Sequence, residues 1–162
     1  MTALRNVSQA LDTEHRNSLA LLGRVEQAFA RMQRAGADPE FARLASAFAR
    51  LIEEDIARHF EFEERELFTR MSEAGEADIA ALLTEEHDAM REVAAEILPL
   101  AQAAAAGTLP DAEFDTLRRG ALELVEREVS HIQKETMALL PLLDDLLDDE
   151  TDRELAFAYA SS

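Results

Sequence analysis

The chain has 162 residues, of which 48% are apolar, no cysteine and a net charge of −18. The missing cysteines exclude disulfides, thiolate metal sites and thiol catalysis, and the acidic surface repels phosphate backbones and anionic membranes, so we expect no nucleic acid and no membrane as partners. The length predicts a single domain over residues 1–162, and the absence of cysteine and of an apolar segment in residues 1–8 predicts a cytoplasmic protein without a signal peptide.

The first predicted helix covers residues 8–34. Its apolar residues recur at spacings of three and four, and His15 lies on the same stripe as Leu11 and Leu19. Gly36 follows this stripe and is the expected stop signal. A histidine in this position is predicted to face the core.

The second predicted helix covers residues 39–71, with Asp38 as its capping residue and Pro39 at its first position. His59 and Glu63 lie on its buried face. They are four residues apart, so they stack on one side of the helix. An imidazole and a carboxylate that point the same way can bind one metal ion.

The third predicted helix covers residues 78–106, with Asp78 as its cap and Pro99 as the site of a kink. His87 lies on its apolar stripe. The other stripe residues are Ile79, Leu82, Leu83, Met90, Val93 and Ile97.

The fourth predicted helix covers residues 110–143 and repeats the histidine–glutamate pair at His131 and Glu135. Pro141 predicts a kink or a stop near its end. The acidic tail, residues 144–162, is predicted to contain a short docking helix. Its apolar residues are Leu155, Phe157 and Tyr159.

Four amphipathic helices joined by short loops predict an all-α protein, an up-down-up-down four-helix bundle over about residues 8–143. The two halves of this bundle are related by an offset of 72 positions, which pairs His15 with His87, His59 with His131, and Glu63 with Glu135. A rise of about 1.5 Å per helical residue places the four histidines at similar depth. We therefore predict that these six side chains meet in the core and bind metal.

Two simpler interpretations compete with a metal site. A single histidine on an apolar face is more often a core residue bonded to a carbonyl or a water, and a single His–Glu pair is more often solvated. Four such histidines, one in each helix, favour metal, because two buried carboxylates are costly without a cation. Without metal, we expect one or both glutamates to take up a proton.

Other acidic residues lie close to the histidines in sequence. Glu14 and Glu86 directly precede two of them, and a rotation of about 100° per residue predicts that they leave the core. Asp55 and Glu128 could accept hydrogen bonds from an imidazole, although solvated helix faces are the favoured interpretation.

The sequence resembles bacterial hemerythrin-like proteins of the HHE cation-binding class over about residues 11–143. The resemblance rests on an ordered set of motifs, His, His-x-x-x-Glu, His, His-x-x-x-Glu. They stand here as Glu14-His15, His59 to Glu64 with Leu67-Phe68, Glu86-His87, and His131 to Glu135 with Leu139-Leu140-Pro141.

This resemblance implies a four-helix bundle around a non-haem di-iron site with an oxo or hydroxo bridge. Family functions include O₂ binding, iron or oxygen sensing, handling of peroxide and NO, and repair of iron centres. The resemblance implies four histidines as terminal ligands, namely His15, His59, His87 and His131. It implies two glutamates as bridging carboxylates, Glu63 and Glu135. The imidazole and carboxylate donors also suit manganese or zinc.

Two departures from the family argue against simple oxygen carriage. Oxygen-carrying hemerythrins place a second histidine four residues along the third helix, where this chain has Leu83 or Arg91, and they use His-x-x-x-x-Asp in the fourth. The metal pair would keep exchangeable positions, with Glu14, Glu86 or Tyr159 as candidates for a seventh ligand. We predict a module that binds or senses O₂, peroxide or NO. The alternatives are an enzyme that reduces peroxide or NO or oxidises Fe(II), and a metal-free bundle.

Overall fold

The computed structural model describes residues 5–34 and 38–161, apart from the side chain of Asp55. These residues form five helices and no strand, which confirms the all-α prediction. The helices are α1 (Asn6–Arg31), α2 (residues 39–73), α3 (Ala77–Ala105), α4 (residues 111–146) and α5 (Asp149–Ser161). None of the helices in the described ranges is long and apolar enough to span a membrane.

Helices α2 and α4 contain π-helical segments that the sequence pattern did not predict. In α2, the α-helical segments Pro39–Arg50, Ala57–Phe62 and Thr69–Glu73 are joined by the π-helical segments Leu51–Ile56 and Glu63–Phe68. In α4, the π-helical segment Glu135–Leu139 joins Asp111–Lys134 to Leu140–Leu146. Glu63 and Glu135 each open a π-helical segment, and such segments occur frequently at functional sites.

The helix boundaries agree in part with the predicted signals. Asp38 caps α2, because its carboxylate accepts the N–H of Glu40 at 3.0 Å. The prediction for Asp78 was wrong, since it lies in the first turn of α3 and Glu76 occupies the cap position. Helix α3 continues through Pro99. Gly36 lies outside the described residues.

Pro141 does not end α4. The helix continues to Leu146, three residues beyond the predicted end at residue 143. Pro141 lies in the first turn of the last α-helical segment. The preceding π-helical segment runs directly into this turn, so the N–H that Pro141 lacks removes one hydrogen bond within α4 without ending the helix.

The buried apolar residues form two clusters on either side of a polar layer. The first cluster includes Leu22, Phe48, Met90 and Phe114, and the second includes Leu11, Phe62, Leu83 and Leu139. In α1, for example, His15 lies between Leu11 of the second cluster and Leu22 of the first. The histidines of α2, α3 and α4 likewise lie where their helix passes from one cluster to the other. The fold therefore holds polar side chains between two apolar layers that exclude water.

The exposed apolar residues include Leu82 from the predicted stripe of the third helix, Phe157 from the predicted docking helix, and Met137. Leu82 is 47% exposed, Met137 81% and Phe157 75%. Leu82 precedes the buried Leu83, and one residue turns a helix by about 100°, so the two cannot share a face. Phe157 lies between Leu155 and Tyr159, which are four residues apart and share the buried face. Met137 lies inside a π-helical segment, where the spacing of an α-helix no longer applies.

The acidic tail forms helix α5, which is longer than predicted and docks on α1. The carboxylate of Asp152 accepts the backbone N–H groups of Asn6 at 3.1 Å and Val7 at 3.0 Å. The side chain of Asp144 accepts the N–H of Arg5, also at 3.1 Å. Helix α1 has no capping side chain of its own. The tail therefore supplies the caps and the negative charge that favour a helix N-terminus.

Candidate metal centre

The six predicted side chains converge in the polar layer, and none of them is more than 7% exposed. They form two overlapping groups in which the possible donor atoms lie within 4.8 Å of one another. The first group is His15, His59, Glu63 and Glu135, and the second is Glu63, His87, His131 and Glu135. Both glutamates belong to both groups, so each faces both possible metal positions.

The first group brings imidazole nitrogens of α1 and α2 together. The Nε2 atoms of His15 and His59 are 3.3 Å apart. Nε2 of His15 is 3.1 Å from Oε2 of Glu135, and Nε2 of His59 is 3.2 Å from Oε1 of Glu63. One nitrogen pair is thus flanked by one oxygen from each glutamate.

The second group repeats this arrangement between α3 and α4. The Nε2 atoms of His87 and His131 are 2.9 Å apart. Nε2 of His87 lies 3.4 Å from Oε1 of Glu63 and 3.6 Å from Oε1 of Glu135, which also contacts His131 closely. Glu135 therefore presents Oε2 to one histidine pair and Oε1 to the other, which is the orientation of a bridging carboxylate.

These distances fit metal ligands. Two donors that are each about 2.1 Å from one metal and at right angles to each other are about 3.0 Å apart. The two Nε2–Nε2 distances bracket this value. Within the described part of the chain, the buried carboxylate oxygens of Glu63 and Glu135 have no hydrogen-bond partner. Buried charged oxygens without partners are costly, and a shared cation removes that cost.

Acidic residues contact the opposite ring nitrogen, Nδ1, of three histidines. Nδ1 of His131 donates to Glu86 at 2.9 Å. Nδ1 of His59 lies 3.6 Å from Glu14, and Nδ1 of His87 lies 3.4 Å from the third acid, Glu64. The carboxylate that accepts from Nδ1 of His131 fixes the tautomer that leaves Nε2 of this ring free to bind a metal, whereas Nδ1 of His87 has no hydrogen-bond partner in the described residues.

Each of the three acids is held by a basic side chain: Glu14 by Arg58, Glu64 by Arg91 and Glu86 by Lys134. Glu14 and Glu86 turn away from the donor groups, as predicted, but they are half-buried and remain at the edge of the core. Each reaches sideways across the helix–helix contact to the histidine of the neighbouring helix. The 72-residue offset relates Glu14 to Glu86, and it was the signal in the sequence that could have revealed their common role.

The residues considered as a seventh ligand do not face the Nε2 atoms. The hydroxyl of Tyr159 shares a hydrogen bond of 3.0 Å with Nδ1 of His59, and Glu14 and Glu86 also lie on Nδ1 sides. On α3, Leu83 is buried in the second apolar cluster, and Arg91 is paired with an acid. These contacts place the five side chains around the histidine rings and away from the two donor groups.

The ring of Phe60 packs face to face on His87, with the ring centroids 3.8 Å apart and an interplanar angle of 4°. The guanidinium of Arg91 lies 5.5 Å from the centroid of Phe60. Phe60 therefore restrains the orientation of His87 by packing.

The charges of the cluster shift its pKa values in opposite directions. Burial lowers the pKa of His131, but contacts with Glu135, Glu63 and Glu86 outweigh it and raise that pKa to about 9. The pKa of His59 is also raised well above its usual value, against burial, mainly by Glu63 and Glu14. Burial raises the pKa of Glu135, yet its contacts with Glu63 and the histidines hold it well below its usual value. The lowered pKa of Glu135 means that this carboxyl is not the one that takes up the expected proton.

The sequence pattern did not predict the positions of two acidic residues near the site. Glu128 is only 6% exposed, and burial raises the pKa of its carboxyl. Its position three residues before His131 places it on the same helix face, and this was the signal against a solvated side chain. Glu64 was missed, because an acid directly after Glu63 reads as an outward-facing residue. The side chain of Asp55 lies outside the described residues.

A comparison with protein families matches residues 6–143 to the hemerythrin HHE cation binding domain. Comparisons with curated proteins and with solved structures find no match. The family match covers most of the chain, so the chain belongs to the hemerythrin HHE cation binding domain family. The match and the buried cluster together support a metal-binding helical protein.

Proposed function

We propose that the six converging side chains bind two iron ions, and that this centre binds O₂ or a related small oxidant such as peroxide or NO. The observation that carries the proposal is the pair of overlapping donor groups that share Glu63 and Glu135. A carboxylate that belongs to both groups can hold two cations close together. Bound iron would supply the redox chemistry, and the protein would supply ligands, orientation and a dry environment.

The side chains leave room for small ligands. Four histidine nitrogens and four carboxylate oxygens make eight donor atoms, whereas two six-coordinate ions take about twelve. The remaining positions would take an oxo or hydroxo bridge and exchangeable ligands. Since Leu83 and Arg91 replace the additional histidine of oxygen carriers, we propose sensing or oxidant chemistry in place of oxygen storage.

Iron reconstitution tests the metal proposal. The apoprotein is loaded with Fe(II) without oxygen, desalted and analysed for metals, with manganese and zinc loaded in parallel. We expect about two irons per chain, near-ultraviolet charge-transfer bands after exposure to air and no haem Soret band. Less than about one iron per chain would contradict the proposal and favour a metal-free bundle.

Two kinetic measurements separate the proposed roles. Steady-state turnover of peroxide or NO by the iron-loaded protein would identify an enzyme, whereas a single stoichiometric reaction would identify a sensor. Stopped-flow mixing of the reduced protein with O₂ tests for storage. We expect oxidation of the protein, and a complex that releases O₂ under vacuum would contradict this expectation.

A further inference from the structure

The three acids that lie beside Nδ1 atoms follow one direction around the bundle. Each reaches from its own helix to the histidine of the next helix, from α1 to α2, from α2 to α3 and from α3 to α4. Helix α4 packs against α1 and closes the ring of four helices. If the same direction continues around the ring, the acid that serves His15 of α1 lies on α4.

The Nδ1 atom of His15 has different surroundings from those of the other three histidines. It is buried, and within residues 5–34 and 38–161 it takes part in no hydrogen bond and no ion pair. Nδ1 of His87 also lacks a hydrogen bond, but the carboxylate of Glu64 lies 3.4 Å from it. Buried polar atoms without partners are rare in folded proteins, so Nδ1 of His15 is expected to have one.

Glu128 of α4 shares a small cavity with His15. Its side chain is buried, and its Oε2 atom also lacks a hydrogen-bond partner among the described residues. The cavity has a volume of about 10 Å³, and Ser18 lines it together with these two residues. That volume is close to the smallest space that holds one water molecule. The imidazole, the carboxyl and the serine hydroxyl supply the two to four polar partners that a buried water needs.

The sequence repeat gives α2 and α4 one such acid each, at different positions. Helix α2 has Ile56 and Glu64, and 72 residues later α4 has Glu128 and Thr136. The acid therefore follows the histidine in α2 and precedes it in α4. Thr136 is exposed and has no carboxylate, so it cannot take the role in α4 that Glu64 has in α2.

We propose that Glu128 positions His15 for metal binding through one water molecule, which accepts a hydrogen bond from Nδ1 of His15 and donates one to Oε2 of Glu128. A partner at Nδ1 keeps the ring proton on that nitrogen and leaves the lone pair of Nε2 for the metal. All four histidines then have an acid from the neighbouring helix, one of them through water. The inference rests on the proposed function, because it concerns a ligand of the proposed metal centre.

A chelator competition measures the contribution of Glu128. The apoprotein competes with a chromogenic chelator for Fe(II) in the absence of oxygen. Loss of an outer hydrogen-bond partner weakens metal binding by about 10–100-fold, so Glu128→Leu should lower the affinity at least tenfold. Glu128→Gln keeps an oxygen that accepts from the water and should recover most of this loss. The exposed Glu126→Leu is the matched control and should bind Fe(II) as the parent does.

Two results of this competition would overturn the assignment. The first is a Glu128→Leu protein with the affinity of the parent, because the carboxyl would then contribute nothing to the site. The second is a Glu128→Gln protein as weak as Glu128→Leu, because a hydrogen bond through water does not require a carboxylic acid.

A double-mutant cycle tests whether Glu128 acts through His15. In the His15→Ala background, Glu128→Leu should change the Fe(II) affinity by less than about twofold, because the ring that it positions is gone. In the His131→Ala background, the loss should remain as large as in the parent. His131 is the control because it lies three residues after Glu128 on the same helix. The reverse pattern, or equal losses in both backgrounds, would show a structural role and overturn the inference.

A crystal structure of the apoprotein tests the water without any metal. We expect one ordered water within hydrogen-bond distance of both Nδ1 of His15 and Oε2 of Glu128. A direct contact between the two side chains, or a cavity without water, would refute the bridge. A parent protein that binds no metal would refute the proposed function, whereas metal binding that does not depend on Glu128 would refute this inference alone.

Discussion

The apoprotein should lose stability as the pH rises from about 6.5 to about 9, and His131 allows the size of this loss to be worked out. Its side chain is 2% exposed, and its contacts with Glu135, Glu63 and Glu86 outweigh burial and raise its pKa to about 9 from an ordinary 6.5. A group whose pKa is raised by folding stabilises the folded state fully below its unfolded pKa. That contribution is lost as the pH rises through the folded pKa.

The expected loss is about 3 kcal/mol from His131 alone, because each unit of pKa shift corresponds to about 1.4 kcal/mol. The pKa values of His59 and His87 are also raised, so they add to the loss in the same direction. At acidic pH the dependence is opposite, and stability falls as the pH falls. The lowered pKa of Glu135 gives a contribution that is present above about 4.5 and is lost as the pH falls through its folded pKa. The apoprotein should therefore be most stable between about pH 4.5 and 6.5.

Urea unfolding of the chelator-treated protein at pH 6 and pH 9 measures this loss. We expect the free energy of unfolding to fall by at least about 3 kcal/mol with an unchanged m-value. Glu135→Gln is the matched control, since it removes the main contact that raises the pKa of His131 and should flatten the profile. Iron displaces the ring protons, so the loaded protein should not show the decline. An apoprotein whose stability is constant or rises over this range would refute the reasoning.

Three further predictions concern the bridging carboxylates, the ligand positions and the tail. Glu63→Ala should lose both metals together, whereas the exposed Glu61→Ala should keep them; a metal assay that gave the opposite result would place the wrong glutamate in the site. Tyr159→Phe removes a hydrogen bond to the ring of a histidine ligand and should weaken iron binding by about tenfold in a chelator competition. Asp152→Ala should cost about 1–2 kcal/mol by urea unfolding, because it uncaps α1, and the exposed Glu154→Ala should cost less than about 0.5.

Much of the fold could be predicted because it follows from apolar spacing. The stripes of α1 to α4, the start of α2 at Asp38 and the helical tail depend on short-range signals that the sequence carries. The exposure of Met137 depends on a π-helical segment, and the capping of α1 depends on Asp152, far away in the chain. Local periodicity contains no information on either, so these features could not be predicted in this way.

The convergence of the six side chains was predicted, but the residues around them were not. A histidine and a glutamate four residues apart share a helix face, so their direction follows from one helix alone. The contacts of Glu14, Glu64 and Glu86 with Nδ1 atoms depend on how neighbouring helices are rotated against each other. Those rotations are set by packing between helices, which the sequence of a single helix does not specify.

The 72-residue symmetry relates the two donor groups to each other but does not extend to every residue around them. The π-helical segments that begin at Glu63 and Glu135 are related by the 72-residue offset, as are the ligand positions themselves. The segment Leu51–Ile56 has no π-helical counterpart in α4, where the related residues are α-helical. Leu51 lines a surface groove with Glu14 and Arg58, and Ile56 lies beside His15 and His59, so this break in backbone symmetry lies on the side of the first histidine pair.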